Sequence, residues 1–515
     1  MFSTIISAAI LGMEVALIHV EVDIAQGLPG FTLVGYLSSE VKEAGERVRV
    51  ALKNAGIALP AMRITVNLAP ANVRKDGTAF DLPIAVGILE ALGDIPKENT
   101  QGLMAAGELG LDGSVNPVRG VLPFVQRAKG EGIKRCLLPM GNYREGKLIG
   151  GIEIIGVRDL KEVMEYLKEG KKPDQEAEEA ETEKEICGNA VKGIGELDFS
   201  QIKGQAEAKR AAEIAAAGFH NLLLIGPPGS GKTMIAKRIP HILPPLTEEE
   251  SLEVSAVYSL AGLLTNENLL IKKRPFMAPH HTITAQALVG GGRQIKPGMV
   301  SLSHKGILFL DELPEFKADY IDMLRQPLEE KKIVIARLGG NYTFPADCMF
   351  VGAMNPCPCG YYPDMGRCRC TPNQIKRYQG RISGPVLDRI DLCAGVSQVT
   401  AEQLSQKGME EDSNCIRDRV IRARKLQEDR YEGKDYQWNA MLPQQDVNYF
   451  CRLEKKEEKL MEKILKKMKL SARAYYRILK VSRTIADLDN SEKVQGIHIE
   501  EALECRMGGE RYWEM

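Results

Sequence analysis

The stretch Asn221-Leu-Leu-Leu-Ile-Gly-Pro-Pro-Gly-Ser-Gly-Lys-Thr233 decides the fold. An apolar run, a glycine-rich turn and a helix beginning near Lys232 are the pattern of a buried strand feeding a phosphate-binding loop. Gly226, Gly229 and Gly231 let successive backbone N–H groups turn inward around a phosphate, with Pro227, Pro228 and Ser230 completing the turn. The following helix directs its positive N-terminal end at the same anion. Lys232 would reach the β- and γ-phosphates, and Thr233 would place its hydroxyl on Mg²⁺. The alternative is a glycine turn that merely joins strand to helix. With the full spacing and both flanks in place, the motif implies nucleoside triphosphate binding, with ATP and Mg²⁺ as cofactors.

Working outward, 515 residues exceed one hydrophobic core, so several domains are expected. A net charge of −1 excludes a globally basic nucleic-acid coat but leaves room for a local basic lining. The apolar start Met1–Val20 carries Glu14 and no basic leader, which does not fit a signal peptide. No long apolar run predicts a membrane span. Four of the 11 cysteines cluster and the rest scatter, which suits a reducing cytoplasm with one metal site.

Downstream of the loop, Gly306-Ile-Leu-Phe-Leu-Asp-Glu312 reads as a buried parallel strand carrying two acids to its C-terminal end, the edge where such sheets bind ligands. Asp311 would complete the Mg²⁺ shell and Glu312 would activate the attacking water; a solvated strand end is the plainer reading. Cys348-Met-Phe-Val-Gly-Ala-Met-Asn355 is a second apolar strand, ending in an amide able to sense a γ-phosphate and a water. Arg381 and Arg389 follow within a short span. Either could form a local salt bridge; in a ring ATPase one reaches the neighbouring subunit's γ-phosphate, and Arg389 is the first choice, with Arg381 second.

Immediately after Asn355, Cys357, Cys359, Cys368 and Cys370 bring four thiols together, with Gly360, Pro363 and Gly366 supplying turns. A tetrahedral structural Zn²⁺ is expected to brace the loop between Asn355 and Arg389, two disulfides or free thiols being the alternatives. Before the loop, Leu17–Ile24 and Arg63–Leu68 read as strands, Ser38–Ala55 as a helix ending near Gly56, and Ala206–Ala217 as an alanine-rich helix. Lys171–Glu185 is a charged, solvated stretch and marks a linker. The expected division is 1–168, an acidic linker 169–196, an ATPase core 197–398 containing the knuckle 357–370, and a helical region 399–515. In the last, Cys415–Arg430 and Leu453–Met468 are amphipathic, and the pattern continues through Arg473 and Arg477.

Two resemblances emerge from these words. Arg74-Lys-Asp-Gly-Thr-Ala-Phe80 and Gly107-Glu-Leu-Gly-Leu-Asp-Gly-Ser-Val115 resemble the proteolytic domain of Lon proteases. There the nucleophilic serine falls at Ala79 of this chain and the catalytic lysine near Leu122. Neither residue supplies a hydroxyl or an amine, so the resemblance implies a Lon-like α+β fold without peptidase activity. Pro279-His-His-Thr282, Leu288-Val-Gly-Gly-Gly292, Pro297-Gly-Met-Val-Ser-Leu-Ser303, Leu310-Asp-Glu-Leu-Pro-Glu-Phe316, Arg325-Gln-Pro-Leu-Glu329 and Leu387-Asp-Arg-Ile-Asp391 together resemble the YifB/ComM group of magnesium-chelatase-like AAA+ ATPases.

That resemblance implies an α/β multidomain protein: a Lon-like domain, a P-loop AAA+ core and a C-terminal helical lid. It implies a hexameric homo-oligomer whose channel is lined by an insert matching Gly290–Gly298, with Arg293 and Lys296, and by a hairpin at Lys331–Thr343. In the hairpin Leu338-Gly-Gly-Asn is the turn, and Lys331, Lys332 and Arg337 would meet DNA phosphates or remain ordinary surface charges. His280 and His281 fit structural or inter-subunit roles better than metal ligation. Arg473 takes the place of the lid's γ-phosphate sensor, with Arg477 one turn on as its substitute. The implied function is a ComM-like helicase that drives branch migration of single-stranded or branched DNA in homologous recombination or natural transformation, in the cytoplasm. A magnesium-chelatase-type metal-insertion motor and an ATP-driven protein remodeller are the alternatives.

Overall fold

The computed structural model describes residues 1–175, 197–265, 267–337, 340–400, 410–468 and 470–513. Most of the expected acidic linker, Leu338 and Gly339 of the expected hairpin turn, and residues 401–409 near the expected last boundary lie outside these.

The chain opens with an antiparallel pair, β1 (Phe2–Leu11) and β2 (Glu14–Ala25). The strand expected at Leu17–Ile24 lies within β2, whereas β1 was not anticipated. There follow β3 (Gly30–Val34), β4 (Arg63–Ala69), β5 (Leu103–Ala105), β6 (Glu108–Leu109), β7 (Val115–Asn116), β8 (Arg135–Pro139) and β9 (Glu153–Val157). β6 and β7 pair with each other; the rest form a mixed seven-stranded sheet ordered β3-β4-β2-β1-β5-β8-β9. Alternation along the strands feeds two apolar layers. Leu103 and Ala105 face a layer with the helix Asp81–Leu92, and Met104 faces one with the helix Val121–Gly130. The helix expected over Ser38–Ala55 is divided at Glu43 into Ser39–Lys42 and Ala44–Asn54.

The second sheet is built from β10 (Leu222–Ile225), β11 (Phe276–Met277), β14 (Ile307–Leu310), β17 (Met349–Met354) and β18 (Leu392–Gly395), ordered β11-β14-β17-β10-β18 and parallel throughout. Between them lie two antiparallel pairs, β12 (Gly290–Gly291) with β13 (Lys296–Pro297), and β15 (Lys332–Arg337) with β16 (Gly340–Pro345). β10, β14 and β17 are buried along their whole length, because both faces of the sheet are covered. Leu222 and Leu224 pack on one face with the helix Ala206–Gly218; Leu223 and Ile225 pack on the other with Leu310 and Phe350.

The C-terminal helices Ser413–Arg430, Gln444–Phe450, Lys455–Met468, Ala472–Leu488 and Gly496–Trp513 share the first of those layers. Their anchor is Arg424, fully buried between the rings of Trp438 (4.2 Å) and Phe219 (5.4 Å). Its Nε and Nη2 donate to Ala216 O at 3.0 and 2.7 Å, and Gln427 Nε2 donates to Ala217 O at 3.0 Å. These carbonyls end the helix Ala206–Gly218, so two side chains of the bundle satisfy acceptors that the helix itself leaves open.

The N-terminal domain rests on elements around the second sheet, two of the contacts being backbone hydrogen bonds. Gly120 N–H donates to Ser259 O (3.3 Å) on the helix Glu248–Ala261, and Met13 N–H donates to Thr343 O (2.9 Å) on β16. Arg424→Ala removes both donors from Ala216 O and the cation from between two rings. We expect a loss of about 2–4 kcal/mol, read as a fall of several degrees in the thermal midpoint of the full chain. A midpoint within a degree of the parent's would contradict the anchoring role.

Candidate functional site

The parallel sheet delivers three strand ends to one edge. From β10, the turn Gly226–Gly231 passes into the helix Lys232–Ile242, with Gly229 and Gly231 at φ +73° and +98°. Gly226 lies so close to Val396 O that a Cβ would stand 2.1 Å from it, so this position admits no side chain. The turn is also held by Gln205, whose Nε2 donates to Ser230 O (3.2 Å) and Ser397 O (2.6 Å).

Lys232 is buried, and its Nζ donates to Gly226 O (2.7 Å), Pro227 O (2.9 Å) and Asn355 Oδ1 (3.1 Å) at the end of β17. Thr233 Oγ1 donates to Asp311 Oδ2 (2.7 Å) at the end of β14. Glu312 follows at φ +51°, its N–H donating to Asp311 Oδ1 (2.9 Å). Its carboxylate stands 3.7 Å from His281 Nδ1 and is largely exposed. The structure thus brings Lys232, Thr233, Asp311, Glu312 and Asn355 to one edge. Two contacts escaped sequence reasoning: Gln205 bracing the turn, and His281, expected in a structural or inter-subunit role, standing beside Glu312. Spacing offered no signal for either, since both contacts span distant segments.

Two arginine assignments part company here. Arg381 stays near the same edge, 3.0 Å from Glu315. Arg389 does not: its guanidinium pairs with Glu329 and donates to Arg325 O (3.0 Å) and Pro385 O (2.7 Å), while its carbonyl accepts from Asn221 Nδ2 (2.8 Å). Asn221 precedes β10, at the end of the strand opposite the phosphate loop. Arg473 lies there too, 60% exposed and 3.9 Å from Asp388. A cleft of about 900 Å³ contains Asn221, Arg389, Arg473 and Arg477. The expectation that Arg473 approaches the nucleotide of its own chain is therefore corrected: a strand of about 13 Å separates them. The position follows from how the bundle docks through Arg424. Arg477 is no substitute. It is largely buried, 3.6 Å from Asp391 Oδ1. Although burial opposes it, the hydrogen bond and charge of His220 with Arg477 hold the Asp391 carboxyl far below the usual range.

Among the basic candidates, Arg293, Lys332 and Arg337 are exposed and Lys296 is half-buried. Lys331 departs from expectation, because a left-handed backbone (φ +57°) turns its Nζ inward to 3.6 Å from Asp347. Gln294 beside Arg293 donates to Glu40 of the N-terminal domain (3.2 Å). In that domain Leu122 is buried and Ala79 packs against the same apolar cluster. Lys75 is buried, donating to Pro70 O.

The ligand atoms of Cys357, Cys359, Cys368 and Cys370 all lie within 4.8 Å of one another. The Sγ separations are 3.3 Å (Cys357–Cys359), 3.6 Å (Cys359–Cys368) and 3.8 Å (Cys357–Cys368). A tetrahedron with Zn–S of about 2.3 Å has edges of about 3.8 Å, while a disulfide needs about 2.05 Å. Backbone N–H groups are aimed at the sulfurs, as from Tyr362 to Cys357 (3.4 Å). Burial raises the Cys368 and Cys370 thiols, whereas at Cys359 the N–H groups of Tyr361 and Arg369 outweigh burial and bring it down to about 6. This donor set fits a thiolate-bound zinc.

A glycine-rich turn closed by a lysine, two acids at the end of β14, and the strand β17 with its terminal amide between β14 and the turn's own strand β10 define the P-loop AAA+ class. Comparison with known proteins narrows it. The family "Magnesium chelatase, subunit ChlI" matches residues 198–404, its C-terminal counterpart matches 410–506, and "Subunit ChlI of Mg-chelatase" matches 20–142. Competence protein ComM of Haemophilus influenzae is 43% identical over 503 residues, 97% of this chain and 96% of that one. Protein YifB of Escherichia coli is 40% identical over 505 residues, 98% and 97% of the two chains. Lon protease 2 of Bacillus subtilis is 34% identical over 130 residues, 25% and 23% of the two chains. The chain belongs to the YifB/ComM group of magnesium-chelatase-like AAA+ proteins, a family compatible with ATP and Mg²⁺. Among the described residues, no helix is long and apolar enough to cross a membrane.

Burial lowers Lys232 to about 8 against the opposing pull of Asp311 and Glu312. Below that pH the ammonium is charged and ready for phosphate; above it, binding must take up a proton. ATP affinity is expected to hold near pH 7 and to fall by up to about tenfold per unit above pH 8, with proton uptake visible by calorimetry. Affinity that stays flat up to about pH 9.5 would contradict the assignment.

Proposed function

We propose that the chain is an ATP-hydrolysing ring motor acting on DNA, a helicase that drives branch migration in recombination or natural transformation. The observation that carries this reading is the split site. Lys232, Thr233, Asp311, Glu312 and Asn355 share one edge of the sheet, and Arg389 and Arg473 share the other. In a ring, the second edge of one subunit faces the first edge of the next.

Phosphate oxygens would replace Gly226 O, Pro227 O and Asn355 Oδ1 around the Lys232 ammonium. Thr233 and Asp311 would hold Mg²⁺, which neutralises charge on the β- and γ-phosphates. Glu312 would leave His281 and orient the attacking water, with Asn355 reading the γ-phosphate. Arg389 and Arg473 of the neighbouring subunit would stabilise transition-state charge, with Arg381 as the nearer alternative. The four thiolates would carry a structural zinc.

For DNA, Lys332 and Arg337 on one hairpin and Arg293 on the adjacent insert offer exposed cations; Lys331 is set aside because it faces Asp347. The similar competence protein is named for competence, which supports a DNA substrate. The N-terminal domain would contribute no proteolysis, since Ala79 and Leu122 occupy an apolar cluster. A cytoplasmic setting suits free thiols.

Glu312→Gln is expected to keep ATP binding while lowering turnover by about 10²–10³-fold. Single-stranded or forked DNA should stimulate the parent ATPase, and Lys332→Ala with Arg337→Ala should weaken DNA binding and lower the salt slope by about 2. An ATPase indifferent to DNA, with no strand displacement, would contradict the reading. So would ATP-dependent casein cleavage for the peptidase-silent domain.

A further inference from the structure

The cysteine knuckle touches more than its own sulfurs. The turn Cys357–Gly360 is closed by Gly360 N–H donating to Cys357 O (2.9 Å), with Gly360 at φ +85°. Gly360 lies directly against the phosphate loop: a Cβ there would stand 2.3 Å from Pro228 Cδ and 2.8 Å from Cγ. The knuckle's first cysteine follows Asn355, which accepts from Lys232, by two residues. From its far side Arg367 Nη1 donates to Gln398 Oε1 (2.8 Å), two residues beyond the Val396 carbonyl that backs Gly226. The knuckle thus reaches the nucleotide turn at its proline, its sensing amide and its back wall.

What holds the knuckle there is slight. Its apolar cluster has three buried members, Cys357, Cys368 and Ile375, two of them metal-ligand candidates. So small a cluster does not offset the entropy of ordering such a loop. Four thiolates around one zinc would, because metal binding to such modules is itself folding free energy.

We infer that the Cys357/Cys359/Cys368/Cys370 knuckle is a zinc-dependent clamp on the phosphate loop, seated through Gly360 on Pro228, so that zinc occupancy sets nucleotide affinity. The inference rests on the zinc reading above and adds a consequence to it. With zinc bound, Pro228 and Asn355 are held in one arrangement before the nucleotide arrives; with zinc lost, that ordering must be supplied by nucleotide binding, and affinity falls.

The test uses the full-length chain, with metal content and binding of a non-hydrolysable ATP analogue with Mg²⁺ read on the same samples. The parent should carry about one zinc per chain. Zinc extraction with a thiol-directed reagent followed by reductant should weaken analogue binding about tenfold, and ZnCl₂ should restore it. Cys368→Ser with Cys370→Ser should match the extracted protein. Gly360→Ala, which drives a methyl into Pro228, should keep its zinc yet bind the analogue more weakly, separating the clamp from mere loss of fold. Zinc-replete and zinc-free protein with equal affinity would overturn the clamp and leave the zinc reading intact. A parent without zinc would overturn both.

Discussion

One short strand sets the terms for the rest of the molecule. β10 is four buried residues long, with the phosphate turn leaving one end and Asn221 standing at the other. Parallel pairing with β17 and β18 forces their C-terminal ends to the phosphate edge, so Asn355 arrives beside Lys232 without a long connection. The same pairing fixes Arg389, which precedes β18, at the opposite edge. A helical bundle tied to the helix Ala206–Gly218 through Arg424 and Gln427 then brings Arg473 to that edge as well. No side-chain rotation spans the distance. On the proposed reading, assembly is what reunites the two halves of the chemistry.

The N-terminal domain adds a second constraint. It is joined to the motor core by a buried carboxylate: Glu145 accepts from the Ser259 hydroxyl, Asn142 Nδ2 (3.0 Å) and Leu122 N–H (3.3 Å). Burial raises its pKa, and those donors pull the other way. The domain also touches β16, the hairpin partner of the strand that carries Arg337, through Met13, and the insert that carries Arg293 through Glu40. A domain whose residues resemble a protease thus contacts the elements proposed to meet DNA.

Much of the nucleotide edge was legible in the sequence because it is made of local words. A buried parallel strand is a continuous apolar run, and its candidate site residue is the next polar one; Asp311 and Asn355 obey that rule, while Lys232 is marked instead by the glycine-rich turn that precedes it. Four clustered cysteines were legible for the same reason. What stayed hidden depends on docking between distant segments. Arg473 reads as a nucleotide sensor from its neighbours in sequence, but its place is set by Arg424 on another helix. Lys331 reads as one of a basic pair, but a left-handed residue turns it to Asp347. The Gly360–Pro228 contact has no sequence signature, because a glycine in a cysteine-rich turn is expected for the turn alone.

The central claim, that each active site is completed by the opposite edge of a second subunit, is tested most directly by mixing two inactive chains. Lys232→Ala destroys the phosphate edge and leaves the arginine edge intact; Arg389→Ala with Arg473→Ala does the reverse. Each alone should be inactive, and co-assembly should restore DNA-stimulated ATP hydrolysis to a substantial fraction of the parent's rate. A mixture as inactive as its parts, or a double arginine variant that hydrolyses ATP at the parent's rate, would contradict the account.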